Sequence, residues 1–233
     1  MSIENILITV ESDKNKKLMT IFAHQDDETF SAGGVLSKYG KNHSSFAVSI
    51  TFDPNRELEF ISACQKLGAS PIQLKFDRIS KTNEGEIRSS LIDIIRKYQP
   101  NIVITHLDYD YHHEHKLTRS IVEEAVEWAA HTTTLSKAHQ IDSLWAAETT
   151  ILIPFPTIFI EISSENENRL DAIRIYESQS HKGGQGFYRE FHETRTRLRG
   201  IQSGVAHAEA FENVPINISG SFKPKQVYTD FPF

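Results

Sequence analysis

The chain has 233 residues, of which 39% are hydrophobic and 24% charged, and its formal net charge is −6. This length and composition are typical of one large folded domain and exclude a disordered chain. The negative charge and the lack of a long basic run argue against nucleic acid or an anionic membrane surface as a partner, and no segment approaches the roughly 20 apolar residues of a membrane span.

The N-terminal segment and the cysteine content bear on location. Residues 1–17 carry charges on both sides of a short apolar run, a pattern that does not resemble a signal peptide. The single cysteine, Cys64, has no partner for an intrachain disulfide, which fits a reducing compartment. We therefore expect a cytoplasmic protein.

Short apolar runs alternate with helix-like segments through the first half of the chain. The runs are rich in β-branched or aromatic residues and predict buried strands; they are Ile6–Val10, Leu18–Phe22, Phe46–Ile50, Ile72–Phe76 and Ile102–Thr105. Apolar residues at helical spacing predict helices over Glu57–Leu67 and Ile87–Tyr98. This alternation indicates a Rossmann-like α/β domain with a mostly parallel sheet flanked by helices.

The second half continues the pattern. Its predicted elements are a helix over Glu114–Ala130, strands over Leu144–Leu152 and Thr157–Ile162, and helices over Asn166–Glu177 and Phe187–Arg199. The arginines of the last helix predict a solvated basic face that could also steer an anionic substrate; they are Arg189, Arg195, Arg197 and Arg199. Residues 214–233 lack periodicity and predict an irregular tail. Without a repeat or a linker, residues 1–233 are expected to form a single domain.

Two motifs rich in histidine and carboxylate residues follow two of the predicted strands. Ala-His-Gln-Asp-Asp-Glu occupies residues 23–28, and Asp-Tyr-His-His-Glu-His occupies residues 110–115. Because parallel strands end at the same edge of a sheet, the motifs predict one metal site there, with His24, Asp27 and His115 as ligands. Two imidazoles and one carboxylate suit Zn²⁺, while iron, nickel, cobalt or manganese remain open.

The remaining polar residues of the two motifs suggest hydrolysis by a metal-activated water. Asp26, adjacent to a ligand, is placed to act as a general base. His112, three residues before His115, could stabilise an oxyanion or donate a proton to a leaving amine. Glu114 or Asp110 could hold His112 in the required tautomer and raise its pKa.

These motifs resemble the signatures of the PIG-L/LmbE-like metal-dependent N-acetylglucosaminyl deacetylase family, which read Ala-His-Pro-Asp-Asp-Glu and Asp-x-His-x-Asp-His. The similarity extends from about residue 18 to residue 211. It implies zinc bound by His24, Asp27 and His115, with Asp26 as base and His112 as acid or oxyanion partner. Arg56 resembles the family arginine that reaches a polar or phosphate group of the substrate, although an ion pair with the nearby Glu59 explains it equally well.

The sequence departs from the family pattern at three places. Gln25 stands where the family has proline, and Glu114 stands where it has aspartate, one methylene shorter. The glycine-rich substrate loop that commonly follows the second strand is reduced to residues 52–55. The substrate is therefore the property that the resemblance defines least.

Three functions are compatible with these residues. The first is removal of an N-acyl group, acetyl in the simplest case, from an amino-sugar-like small molecule or natural-product intermediate. The second is cleavage of an amide in a larger conjugate or peptide-like intermediate. The third, a metal-dependent binding module without turnover, is disfavoured because a binder needs no carboxylate such as Asp26 beside the metal. The sequence leaves the oligomeric state and the metal used in the cell open.

Overall fold

The computed structural model describes residues 16–42, 44–131, 137–179 and 186–216. Within these ranges seven strands form one sheet in the order β3-β2-β1-β4-β5-β7-β6. The strands are β1 (Leu18–Phe22), β2 (Ser45–Thr51), β3 (Ser70–Phe76), β4 (Ile102–Thr105), β5 (Ser143–Ala147), β6 (Ile158–Glu161) and β7 (Ala208–Val214). Strands β1 to β5 pair in parallel, and β7 lies antiparallel between β5 and β6. The predicted α/β class with a mostly parallel sheet is confirmed.

Six α-helices of the described ranges cover the two faces of the sheet. They are α1 (Asp27–Gly40), α2 (Glu57–Leu67), α3 (Glu84–Tyr98), α4 (His113–Ala129), α5 (Asn166–Ile175) and α6 (Phe187–Ser203). Successive side chains of a strand point to opposite faces. In β1, Leu18 and Phe22 therefore join the core under α1, α2 and α5, whereas Met19 and Ile21 join the core under α3 and α4. No helix of the described ranges has the length and apolarity to cross a membrane.

The order of the strands creates a crevice next to β1. From β1 the sheet grows towards β2 and β3 on one side, and towards β4 and β5 on the other. The loops that leave the carboxyl ends of β1 and β4 therefore diverge and leave a crevice between them. α/β proteins with this strand order bind their ligands in such a crevice. The two sequence motifs occupy these loops.

Several predicted boundaries needed correction. Strand β5 ends at Ala147 rather than at Leu152, because Glu148 turns inward and accepts a hydrogen bond from the N–H of Ile153 at 2.7 Å. Val214 belongs to β7 rather than to an irregular tail. Both the predicted strand over residues 6–10 and residues 217–233 lie outside the described ranges.

The predicted solvated arginine face of α6 was also partly wrong. Arg195 and Arg199 are each only 3% exposed. Arg199 donates hydrogen bonds to the carboxylate of Glu148, and Arg195 donates to the carbonyl oxygens of Glu148 and Phe30. These two guanidinium groups tie α6 to the loop after β5 and to α1, so they do not face an approaching substrate.

Candidate metal centre

Three donor atoms from the predicted ligands face one another at the crevice. Nδ1 of His24 lies 3.3 Å from Oδ2 of Asp27 and 3.3 Å from Nε2 of His115. Nε2 of His115 lies 3.5 Å from the same Asp27 oxygen. Ligands bound at about 2.0 to 2.1 Å in a tetrahedral arrangement are separated by roughly 3.4 Å, so the triangle has the dimensions of a zinc site.

The second nitrogen of each ligand histidine meets a carboxylate. Nε2 of His24 lies 2.7 Å from Oε2 of Glu114, and Nδ1 of His115 lies 3.2 Å from Oδ2 of Asp110. A carboxylate at one ring nitrogen places the proton there and leaves the lone pair on the other. In the neutral form of each ring, the lone pair is therefore directed towards Asp27, and three acceptor atoms at this separation fit a cation between them.

The electrostatics of the triangle also favour positive charge. Burial alone would lower the pKa of His24, but hydrogen bonds to Asp27 and Glu114 outweigh it and raise this pKa to about 10. Burial would raise the pKa of Asp27, yet the neighbouring His115 holds it well below its usual range. The hydrogen bond with His24 lowers the pKa of Glu114 to about 2. Both carboxylates are therefore charged at neutral pH.

His106 is part of the centre although no motif marks it. It directly follows β4, its ring is fully buried, and it stacks on His115 with a centroid distance of 3.8 Å. Its Nε2 accepts the N–H of Ala23 at 3.0 Å, so Nδ1 carries the proton and faces Thr149 at 3.2 Å. Burial and the neighbouring His115 lower its pKa to about 4. His106 is thus a neutral imidazole that packs against His115. The only sequence feature that could have indicated it is its position directly after a predicted strand.

His112 lies beside the ligand histidines, but its surroundings differ from the prediction. Its ring centre is 4.9 Å from that of His24 and 4.6 Å from that of His115. Burial, His115 and His24 lower its pKa, and Glu114 offsets this only in part. The expected rise was therefore wrong, because Glu114 hydrogen-bonds His24 and Asp110 pairs with His115 instead.

Asp26 occupies a buried position next to the triangle. Its residue is 2% exposed, and one carboxylate oxygen lies 3.6 Å from Nη1 of Arg56. Arg56 is partly exposed and also lies 3.7 Å from the carboxylate of Asp53. Glu59, the alternative partner considered for Arg56, instead accepts hydrogen bonds from Ser178. Arg56 therefore sits between the buried site and solvent.

Gln25, which replaces the family proline, joins two loops of the crevice. Its side-chain Oε1 accepts the N–H of Asp53 at 2.7 Å, and the residue is 2% exposed. A proline could not make this hydrogen bond. The substitution thus ties the loop after β1 to the shortened loop after β2.

Comparison with protein families gives a match to PIG-L, described as GlcNAc-PI de-N-acetylase, over residues 19–126. The resemblance to the PIG-L family is confirmed over these residues. They contain both motifs and extend from β1 into α4. PIG-L proteins are a family of deacetylases, so the family match agrees with the chemistry inferred from the site residues.

Three solved structures share the fold of this chain at low sequence identity. The conserved protein TT1542 from Thermus thermophilus has 22% identity and a TM-score of 0.75, covering 86% of this chain and 95% of its own. The N,N′-diacetylchitobiose deacetylase of Pyrococcus horikoshii has 23% identity and a TM-score of 0.73, and the match covers 86% of this chain and 84% of the deacetylase. GalB of Pseudomonas putida, a 4-carboxy-2-hydroxymuconate hydratase, has 20% identity and a TM-score of 0.73, and the match covers 89% of this chain and 100% of GalB. Since the three include a deacetylase and a hydratase, this likeness shows the fold alone.

Proposed function

We propose that this protein, as a single domain over residues 1–233, is a zinc-dependent N-deacetylase acting on a small acylated amine of the amino-sugar type. The observation that carries the proposal is the triangle of His24, Asp27 and His115 with the buried carboxylate of Asp26 beside it. The family match over residues 19–126 supports the reaction class.

The three ligand residues would hold the ion, and the donor set suits zinc, while iron, nickel, cobalt and manganese would also fit. A divalent ion bound there lowers the pKa of water and polarises a carbonyl group. Glu114 and Asp110 hold His24 and His115 in the tautomers that such binding requires. These two carboxylates thereby contribute to the reaction through the ligand histidines.

Asp26 and His112 would move the protons of the reaction. Asp26 accepts a proton from the attacking water, and that proton leaves with the amine once the C–N bond breaks. His112 donates a hydrogen bond to the carbonyl oxygen as negative charge develops on it. The lowered pKa of His112 favours the neutral imidazole N–H as this donor. Arg56, at the boundary with solvent, would bind a hydroxyl or phosphate group of the substrate.

An amide in a larger conjugate is a second candidate substrate. Tyr111, next to His112, is 66% exposed, and His112 itself is only partly buried. An extended leaving group could therefore continue past the rim of the crevice. A binding module without turnover has less support, because Asp26 is buried beside the triangle at the cost of its hydration.

The proposal is tested by product analysis with zinc-loaded protein. The substrates are N-acetylglucosamine, N,N′-diacetylchitobiose and N-acetylglucosamine 1-phosphate, with longer N-acyl analogues of each. Free amine and carboxylic acid should appear in equal amounts with at least one of them. Metal-saturated protein that releases no amine from any of these amides would contradict the proposal.

A further inference from the structure

Asp26 adopts a backbone conformation that other residues avoid. Its φ and ψ angles are 141° and −33°. Lys75 and Gln99, the other described non-glycine residues with positive φ, have values of 61° and 54° in the ordinary left-handed region. Such strain costs on the order of 1 to 3 kcal/mol and persists only where surrounding contacts enforce it.

Hydrogen bonds on both sides of Asp26 enforce this conformation, and the one at its backbone N–H comes from Glu28. Its Oε2 accepts the backbone N–H of Asp26 at 3.1 Å. On the other side of the residue, the carbonyl oxygen of Asp26 accepts the N–H groups of Thr29 and Phe30, each at 3.1 Å. The peptide groups on both sides of Asp26 are therefore fixed by hydrogen bonds.

Glu28 is itself held from a distant part of the chain. The hydroxyl of Tyr176, directly after α5, donates to its Oε1 at 2.6 Å, and the hydroxyl of Thr29 donates to the same oxygen at 2.7 Å. Glu28 and Tyr176 are each 1% exposed. With both oxygens engaged and no access to solvent, Glu28 is unsuited to take a proton from a water molecule.

We infer that Glu28 and Tyr176 are positioning residues that hold the backbone of Asp26 in its strained conformation and thereby aim its carboxylate at the reacting water. The inference rests on the proposed function, in which Asp26 is the general base. Glu28, the last residue of the first motif, thereby has a role distinct from both metal binding and proton transfer. A displacement of a catalytic group by about 1 Å can cost on the order of a hundredfold in rate.

The test compares two substitutions of Glu28. In Glu28→Gln the amide oxygen can still accept the N–H of Asp26, while the hydroxyls of Tyr176 and Thr29 rotate to accept from the amide nitrogen. In Glu28→Met the size is retained but no acceptor remains. We expect kcat close to the wild-type value for Glu28→Gln, and a kcat lower by about 10-fold to 100-fold for Glu28→Met, with KM and bound zinc unchanged.

Tyrosine variants give a milder change with a matched control. Tyr176→Phe removes only the hydroxyl that holds Glu28, so kcat should fall less than in Glu28→Met. Tyr39, in α1, has a buried hydroxyl without a hydrogen-bond partner in the described residues. Tyr39→Phe should leave kcat unchanged. If Glu28→Met fails to fold, the comparison of Tyr176→Phe with Tyr39→Phe decides the question.

A crystal structure of Glu28→Met separates this inference from the proposed function. The φ angle of Asp26 should leave the strained region, whether or not the wild-type protein releases acetate from an amide. An unchanged φ together with wild-type kcat would overturn the inference. Inactivity of Glu28→Gln would also overturn it, because that variant loses a base but keeps the hydrogen bond to Asp26.

Discussion

At the scale of single residues, the four carboxylates of the site each have different contacts. Asp27 is directed into the triangle, Glu114 contacts His24, Asp110 contacts His115, and Asp26 lies beside Arg56. A carboxylate bound to a ligand histidine is already engaged by an imidazole. Asp26 directly precedes Asp27 and is buried beside the triangle, so we propose it as the general base, which leads to the first prediction.

Asp26→Asn should keep the metal and lose most of the activity. The amide has nearly the size of the carboxylate but cannot take the proton of water, so kcat should fall on the order of a hundredfold or more. The measurement is acetate release at saturating zinc, with metal content determined in the same sample. Turnover at the wild-type level would show that another group is the base.

Glu114→Gln should weaken metal binding, because the structure places Glu114 on His24. Loss of such a partner to a ligand histidine typically costs about 10-fold to 100-fold in metal affinity. Competition with a chromophoric chelator measures the zinc affinity, and Asp110→Asn is the matched variant on His115. If Glu114→Gln binds zinc normally but shifts the pH dependence of the rate, Glu114 acts on His112 after all.

The sequence predicts the members of this site together because short motifs keep the candidate ligands close along the chain. It could not find His106, which contacts Ala23 and Thr149 across three separate loops. It also paired Glu114 with His112, since the spacing alone allowed that contact. Only the packing of α4 against the end of β1 shows that His24 is nearer to Glu114. Assignment of carboxylate partners thus required tertiary contacts.

At the scale of elements, strong apolar periodicity was the reliable signal. The predicted helix over Glu57–Leu67 has the observed bounds of α2, and Gly68, with a φ of 72°, caps its C-terminus. Helix α1 and strand β7 were not predicted as elements. In β7 the buried Glu209 accepts the N–H groups of Gly34 and Val35 in α1, so a charged residue occupies an inward position. Hydrophobic alternation does not detect a strand of this kind.

The buried arginines of α6 lead to a prediction on stability. Arg199→Met should destabilise the fold by up to about 3 to 5 kcal/mol, because it removes the guanidinium closest to the buried carboxylate of Glu148. That carboxylate then keeps the N–H of Ile153 and the guanidinium of Arg195, whose Nε lies 3.9 Å away. Urea unfolding of both proteins measures the difference. Arg197→Met is the control, since Arg197 is exposed and its side chain donates a surface hydrogen bond to the carbonyl oxygen of Ala206. Its loss should change stability by no more than about 1 kcal/mol. Equal stabilities of the two variants would show that the Arg199–Glu148 contact contributes little.

At the scale of the whole molecule, an ion pair connects the start of α5 to the end of α1. Glu165 is 3% exposed, and its Oε1 lies 2.5 Å from Nζ of Lys41. Burial alone would raise the pKa of Glu165, but the hydrogen bonds from Lys41 and Ser164 outweigh it and lower the pKa. A lowered pKa in the folded state stabilises the protein above the unfolded pKa, and that contribution is lost as the pH falls through the folded value.

Glu165→Gln should therefore destabilise the protein at pH 7 and have less effect in acid. The free energy of unfolding is measured by urea titration at pH 7 and again below the usual pKa of a glutamate, about 4.3. The difference between wild type and variant should shrink at the lower pH. A difference that stays constant or grows in acid would contradict the stated sign of the pKa shift.

We propose that the ends of β1 and β4 bring three donor atoms together around one divalent ion. Calorimetric titration of zinc into chelator-treated protein measures this binding. We expect saturation at about one equivalent per chain, with tight binding lost in both His24→Ala and His115→Ala. Wild-type stoichiometry and affinity in both variants would show that these histidines do not bind the ion.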